Sequence, residues 1–183
     1  VKLVTPREFR DAFVEVMRAQ RKSVRVASNF EAKSFNYFMR SEIFPRIARE
    51  LKLLAWNKEY YTLDGAFYEE RENEHVRVNE SYAKWICVAI EHEVDLRSSY
   101  REMNKLQLFN VPLKVLIAYV AEGIQEDTVL RGYERIVRAA DAFGDVASTR
   151  RQLVILGTLR GLDEWRIFVF EQDGFVQMLP LPD

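Results

Sequence analysis

The sequence predicts an α/β fold in which a mixed central sheet is flanked by helices. Three observations carry this. Two runs, "KWICVAIEHE" and "VPLKVLIAYV", are continuously apolar over strand length, the pattern of strands covered on both faces. Between them "LRSSYREMNKLQLFN" sets Leu96, Tyr100, Met103, Leu106 and Leu108 in an apolar stripe at helical spacing. A strand, a helix and a strand in that order imply a right-handed parallel crossover.

The remaining elements follow along the chain. "TPREFRDAFVEVMRAQ" is a helix, with Thr5 as its cap, Pro6 in the first turn and Glu8 closing a capping box. Phe9, Phe13, Val16 and Met17 form its apolar stripe. "RKSVRVAS" reads as a basic loop or short strand. A second helix covers roughly residues 31–51 and bends at Pro45. In "LLAWNKEYYTLDGAFYEE" the centre forms a strand running into Asp64, and "AFYEE" forms another. "RENEHVRVNE" is a polar turn. "EDTVLRGYERIVRAADAFG" is a long helix ending at Gly144, a suitable C-cap. "RQLVILGTL" is a strand, and "EWRIFVFEQDGFVQML" is a hairpin turning at Asp173-Gly174. No repeat or linker interrupts the order, so residues 1–183 read as a single domain.

Composition narrows the function classes. The chain has 183 residues, enough for a sizeable core. Its formal net charge of −1 gives no global basic field. Arg18, Arg21, Lys22 and Arg25, with Lys33, Arg40 and Arg46 in the same half, read first as a solvated face and second as contacts to a phosphate backbone. The one cysteine, Cys87, lies in an apolar run and reads as a small hydrophobe in a reducing compartment. No apolar run approaches the ~20 residues of a membrane span. No signal peptide is read, and a start at Val1 without methionine suggests a processed or trimmed end. A cytoplasmic protein with no membrane partner is expected. Two histidines, His75 and His92, and one cysteine cannot make a convincing zinc site. Glycine-rich phosphate loops and Gly-x-Ser-x-Gly elbows are absent.

The chemistry-bearing feature is the end of the first apolar run. "WICVAIEHE" passes from buried strand to Glu91-His92-Glu93 without a break. Side chains alternate along a strand, so Glu91 and Glu93 share a face and His92 points to the other. Asp64, followed by Gly65, ends an earlier strand-like stretch. Residues 65–90 leave room for one returning strand, which would set Asp64 beside Glu91. Three carboxylates converging at one sheet end suit Mg²⁺ or Mn²⁺, hard cations that take oxygen ligands. A single acid at a strand end is usually a solvated terminus, so the expectation rests on the combination.

The order "LDGAFYE", "WICVAIEHE", "SSYREMNKL", "LKVLIAYV" resembles the PD-(D/E)xK nuclease superfamily, the restriction-endonuclease-like fold, over roughly residues 31–120. That resemblance implies Asp64 and Glu91 as metal ligands, with the His92 backbone carbonyl near the metal. It implies a Mg²⁺- or Mn²⁺-dependent endonuclease-like hydrolase acting on DNA. Glu93 stands where the family usually has lysine, as it does in some restriction enzymes. It would add a ligand or orient the attacking water. A lysine from elsewhere would be Lys105 or Lys84. Lys84 shares parity with His92 and should face away from the acids. Lys105 lies three residues after Glu102, and the pair reads first as a surface salt bridge. The alternative is a catalytically inactive binding or assembly module of the same fold. A homodimer is left open.

Overall fold

The computed structural model describes residues 2–29, 31–56, 62–69, 85–121, 123–158 and 164–179. Helix α1 spans Pro6–Ala19, α2 Arg21–Ala27, α3 Ala32–Phe38, α4 Phe44–Glu50, α5 Leu96–Gln107 and α6 Glu126–Ala140. The strands are β1 Leu54–Ala55, β2 Gly65–Tyr68, β3 Ile86–Glu93, β4 Leu113–Tyr119, β5 Arg151–Gly157, β6 Arg166–Glu171 and β7 Gly174–Gln177. They form one sheet in sequence order, β1 to β7. β3, β4 and β5 are parallel, and the outer pairs on both sides are antiparallel. The mixed sheet predicted from the sequence is therefore present, with α5 crossing from β3 to β4 and α6 from β4 to β5.

Each face of the sheet has its own helical layer. On one face α1, α2, α3 and α4 bury Phe9, Phe13, Phe35, Phe44 and Ile47 against Phe67, Val88, Ile90, Val115 and Ile117. On the other, α5 and α6 bury Met103, Leu106, Val129, Tyr133 and Val137 against Ala89, Leu116, Ala118 and Val154. All seven residues of β4 are buried, as its unbroken apolarity requires. Cys87 is likewise buried, and burial raises its thiol pKa. No helix among the described residues is long and apolar enough to cross a membrane.

Local signals set most element ends. Thr5 Oγ1 accepts the Glu8 N–H, and Glu8 returns a bond from the Thr5 N–H at 2.8 Å, completing the capping box. Several expectations need correction. "RKSVRVAS" is helix α2, because Val24 and Ala27, three apart, bury together while Val26 stays 59 % exposed. The bend expected at Pro45 is a π-turn over Met39–Ile43, before the proline. Pro45 has no N–H to bond back, and the wide turn absorbs the misfit of its ring. The long helix stops at Ala140, and Gly144 takes its left-handed φ of 66° in the turn beyond. The last hairpin turns on Gln172-Asp173, since Glu171 pairs with Gly174. Leu108 caps α5 and is 80 % exposed, so it leaves the stripe. The polar turn, His75 and Lys84 lie outside the described residues.

Asp64 stands where the next strand starts. Strand β2 begins directly after it, where a second strand was expected, and residues 57–61 of the strand expected to run into Asp64 lie outside the described residues. Gly65 follows because a side chain there would not fit. A Cβ would stand 2.9 Å from the Phe44 ring and 3.3 Å from Ile90 Cβ.

Candidate active site

The site forms where β2 begins and β3 ends. Gly65 pairs with Ile90 and Ala66 with Ala89. The same antiparallel register carried back one residue sets Asp64 opposite Glu91, so the two carboxylates rise from neighbouring strands on one face. Asp64 Oδ2 accepts the His92 main-chain N–H at 3.0 Å. In a strand a residue's N–H and C=O leave on the same side, so the His92 carbonyl also faces the Asp64 side.

Helix α5 covers this face and supplies the cation. Lys105 Nζ lies 2.9 Å from Glu91 Oε1, pairs with Glu102 Oε2, and donates to the Thr62 carbonyl at 2.9 Å. Its expected surface pairing with Glu102 exists, but the ammonium also reaches inward to the strand acids, and its side chain is only 24 % exposed. Neither Glu91 Oε1 nor Glu102 Oε2 receives a well-directed hydrogen bond although both are buried. The contacts with Lys105 are close and Coulombic rather than aligned. Thr62, whose carbonyl holds the lysine, has a φ of 74°. A β-branched residue in that left-handed region is strained by about 1–3 kcal/mol.

Electrostatics here are unusual. Glu91 is 1 % exposed. Burial first, then the Asp64 charge, push its carboxyl up to about 10, against the pull of Lys105. Burial also raises Asp64, opposed by the His92 N–H, Lys105 and Arg40. Lys105 is raised because its pairing with Glu102 and Glu91 outweighs the cost of burial. The assignment that reconciles these directions is a protonated Glu91, with Glu102 as the counter-ion of Lys105.

Glu93 does not join this pair. It stands one pleat repeat (~7 Å) beyond Glu91, and its Oε1 accepts the Asp95 N–H at 3.0 Å. Among the described residues no three His, Cys, Asp or Glu side chains are grouped so as to hold a metal ion together. The expected three-carboxylate cluster is thus two strand carboxylates with a lysine and a helix glutamate.

His92 points to the opposite face, as alternation requires. Its Nδ1 lies 2.9 Å from Asn36 Oδ1 and its Nε2 2.9 Å from the Tyr119 hydroxyl. Facing an amide oxygen, Nδ1 carries the proton, and Nε2 accepts from Tyr119. Burial lowers the His92 pKa to about 3, so the ring is neutral. Phe35 and Phe44 pack edge-on against it. The ring therefore anchors the end of β3, whose N–H orients Asp64.

Sequence reasoning did not single out Glu102 as part of the site, nor Asn36, Tyr119 or the Thr62 carbonyl. The Glu102–Lys105 spacing was the one available signal. No family model, curated protein or solved structure matches the chain.

Proposed function

We propose that the chain is a divalent-metal-dependent phosphodiesterase acting on DNA, working through Asp64, Glu91 and Lys105. The observation that carries this reading is the Glu91 carboxylate, buried at the end of β3 beside Asp64 with an ammonium against it. The residues fit Mg²⁺ or Mn²⁺: two oxygen-donor side chains meet, and Glu91 Oε1 is a buried acceptor without a directed partner. Asp64 and Glu91 would hold the ion. A metal there supplies polarisation of a phosphoryl oxygen and a more acidic bound water.

The chain's own groups do the rest. The His92 N–H fixes Asp64. Lys105, steadied by Glu102 and the Thr62 carbonyl, presents a cation where charge develops on the phosphoryl group. It takes the role that Glu93, on the strand, cannot fill as a carboxylate. The closed face under α5 keeps water away from Glu91, which strengthens every charge interaction there.

A second reading also has an observation behind it. With Glu91 protonated and Lys105 balanced by Glu102, little uncompensated charge is left for a metal to neutralise, as a binding or assembly module of the same fold would need. Purified protein incubated with supercoiled plasmid and Mn²⁺ or Mg²⁺ separates the two. Metal-dependent cleavage that is lost in Glu91→Ala supports the phosphodiesterase. Cleavage that survives the substitution is a contaminant's and sinks the reading. Absence of millimolar Mn²⁺ binding by calorimetry favours the module.

A further inference from the structure

The stretch 16–41 carries Arg18, Arg21, Lys22, Arg25, Lys33 and Arg40 against a single acid, Glu31, in a chain whose formal net charge is −1. Six cations to one anion is a local field of the sign that a polyanion needs. The stretch folds as the end of α1, then α2 and α3, with α2 packed on α3. Arg18, Arg21, Lys22, Arg25 and Lys33 are all exposed.

α3 packs on the sheet face that His92 enters, opposite α5. Lys33 and Tyr37 stand at i and i+4 on α3, and Arg40 follows in the π-turn that continues it. The Arg40 charge acts on Asp64. Asn36, next to Tyr37, holds the His92 ring at 2.9 Å. Tyr37 itself is 67 % exposed. A large ring standing in water on a helix flanked by Lys33 and Arg40 has no packing role to explain it.

We infer that the Lys33–Tyr37–Arg40 surface binds an unpaired nucleic-acid strand, with a base stacked on Tyr37 and the flanking phosphates on Lys33 and Arg40. An aromatic face can stack only on a base free of its duplex neighbours, and stacking with a basic groove is how single strands are held without sequence preference. Duplex DNA would offer this surface phosphates but no base. The inference deepens the phosphodiesterase reading and rests on it: the site would act on single-stranded or frayed DNA.

The test measures binding apart from cleavage. Fluorescence anisotropy with a labelled oligothymidylate and with a hairpin duplex, both in chelator, is run on the full chain. Tighter binding of the single strand is expected. Tyr37→Ala should weaken it by about tenfold, the scale of one lost stacked base, while Tyr37→Trp retains it and duplex binding changes little. Circular dichroism of each variant checks the fold. Equal affinity for both substrates, or a Tyr37→Ala protein that binds the single strand as wild type does, overturns the inference. If cleavage sensitive to Glu91→Ala persists in that case, the phosphodiesterase reading stands alone. A wild-type protein that neither binds nor cleaves nucleic acid overturns both.

Discussion

Glu91→Gln is the perturbation that separates a poised site from a structural salt bridge. In the folded chain the Glu91 carboxyl is raised from its ordinary 4.5 to about 10, chiefly by burial and then by Asp64. Between those values the native state holds a proton that the unfolded chain has released. The unfolded state binds fewer protons, so stability falls as pH rises, by about 1.4 kcal/mol per pH unit. By pH 7 the accumulated cost is about 3 kcal/mol on the same scale. Glutamine imitates the protonated carboxyl in shape and carries none of this cost. Urea unfolding in the presence of chelator should therefore show Glu91→Gln more stable than wild type by about 1–3 kcal/mol at pH 7. The gain should shrink toward zero near pH 5 and grow at pH 8. If Glu91 is instead an ionised partner of Lys105, removing its charge strands a half-buried ammonium and should cost about 3–5 kcal/mol. A loss of that size at pH 7 would refute the protonated assignment.

Further outcomes follow from the same physics. Lys114 is buried on β4, donates to Gln107 Oε1 at 3.1 Å, and is depressed to about 8 by burial and then by Arg150. Its burial cost is full below pH 8 and fades as pH rises toward 10.5, so Lys114→Met should stabilise by about 1–2 kcal/mol at pH 7 after the orphaned Gln107 oxygen is counted, with no gain at pH 10.5 in thermal melts. Tyr119→Phe removes the donor to His92 Nε2 and should cost about 1–3 kcal/mol in chemical denaturation, the penalty of an unsatisfied buried acceptor. Thr62→Gly relieves the left-handed backbone, offset by the greater freedom of glycine in the unfolded chain, and should shift stability by less than about 1 kcal/mol. A larger loss would mean that the threonine side chain, not the carbonyl, holds the loop.

How far the fold was legible depended on which residues carried their own signal. β3 and β4 were readable because strands covered on both faces need unbroken apolar runs, and α5 because its stripe survives at every turn except Leu108. Helix α2 was not readable. Val24 and Val26 imitate a strand's alternation over too few residues for the period to decide, and only Val24 found a core to enter. The π-turn was hidden because Pro45 announces an irregularity without fixing which side of it will distort. Strand β2 was readable from its aromatic residues, and the glycine at its start is explained by Phe44, whose ring occupies the space where residue 65 would otherwise carry a Cβ.

The site divides along the same line, and the division bears on its function. Asp64 and Glu91 were legible because an acid at the end of a buried strand violates the local rule of apolar continuity, and such violations gather at functional places. The lysine was only half legible: its spacing from Glu102 predicts a pair but not that α5 lies close enough to β3 for the ammonium to reach Glu91. That reach is what both proposed readings of the acids must account for. Were stability the only demand, two apolar side chains at positions 64 and 91 would serve at least as well, because burying charges and pairing them seldom beats a packed hydrocarbon. The chain instead keeps a carboxylic acid driven toward its neutral form, an acceptor oxygen without a directed donor, and a strained threonine whose carbonyl steadies Lys105. Each of these is unfavourable to the folded state, and all three meet at Lys105. A divalent cation would relieve the first two together, since it favours the ionised carboxylate and fills the empty acceptor position. Those three features are what the proposed metal-dependent reading accounts for, and the Glu91→Gln measurement tests the first of them.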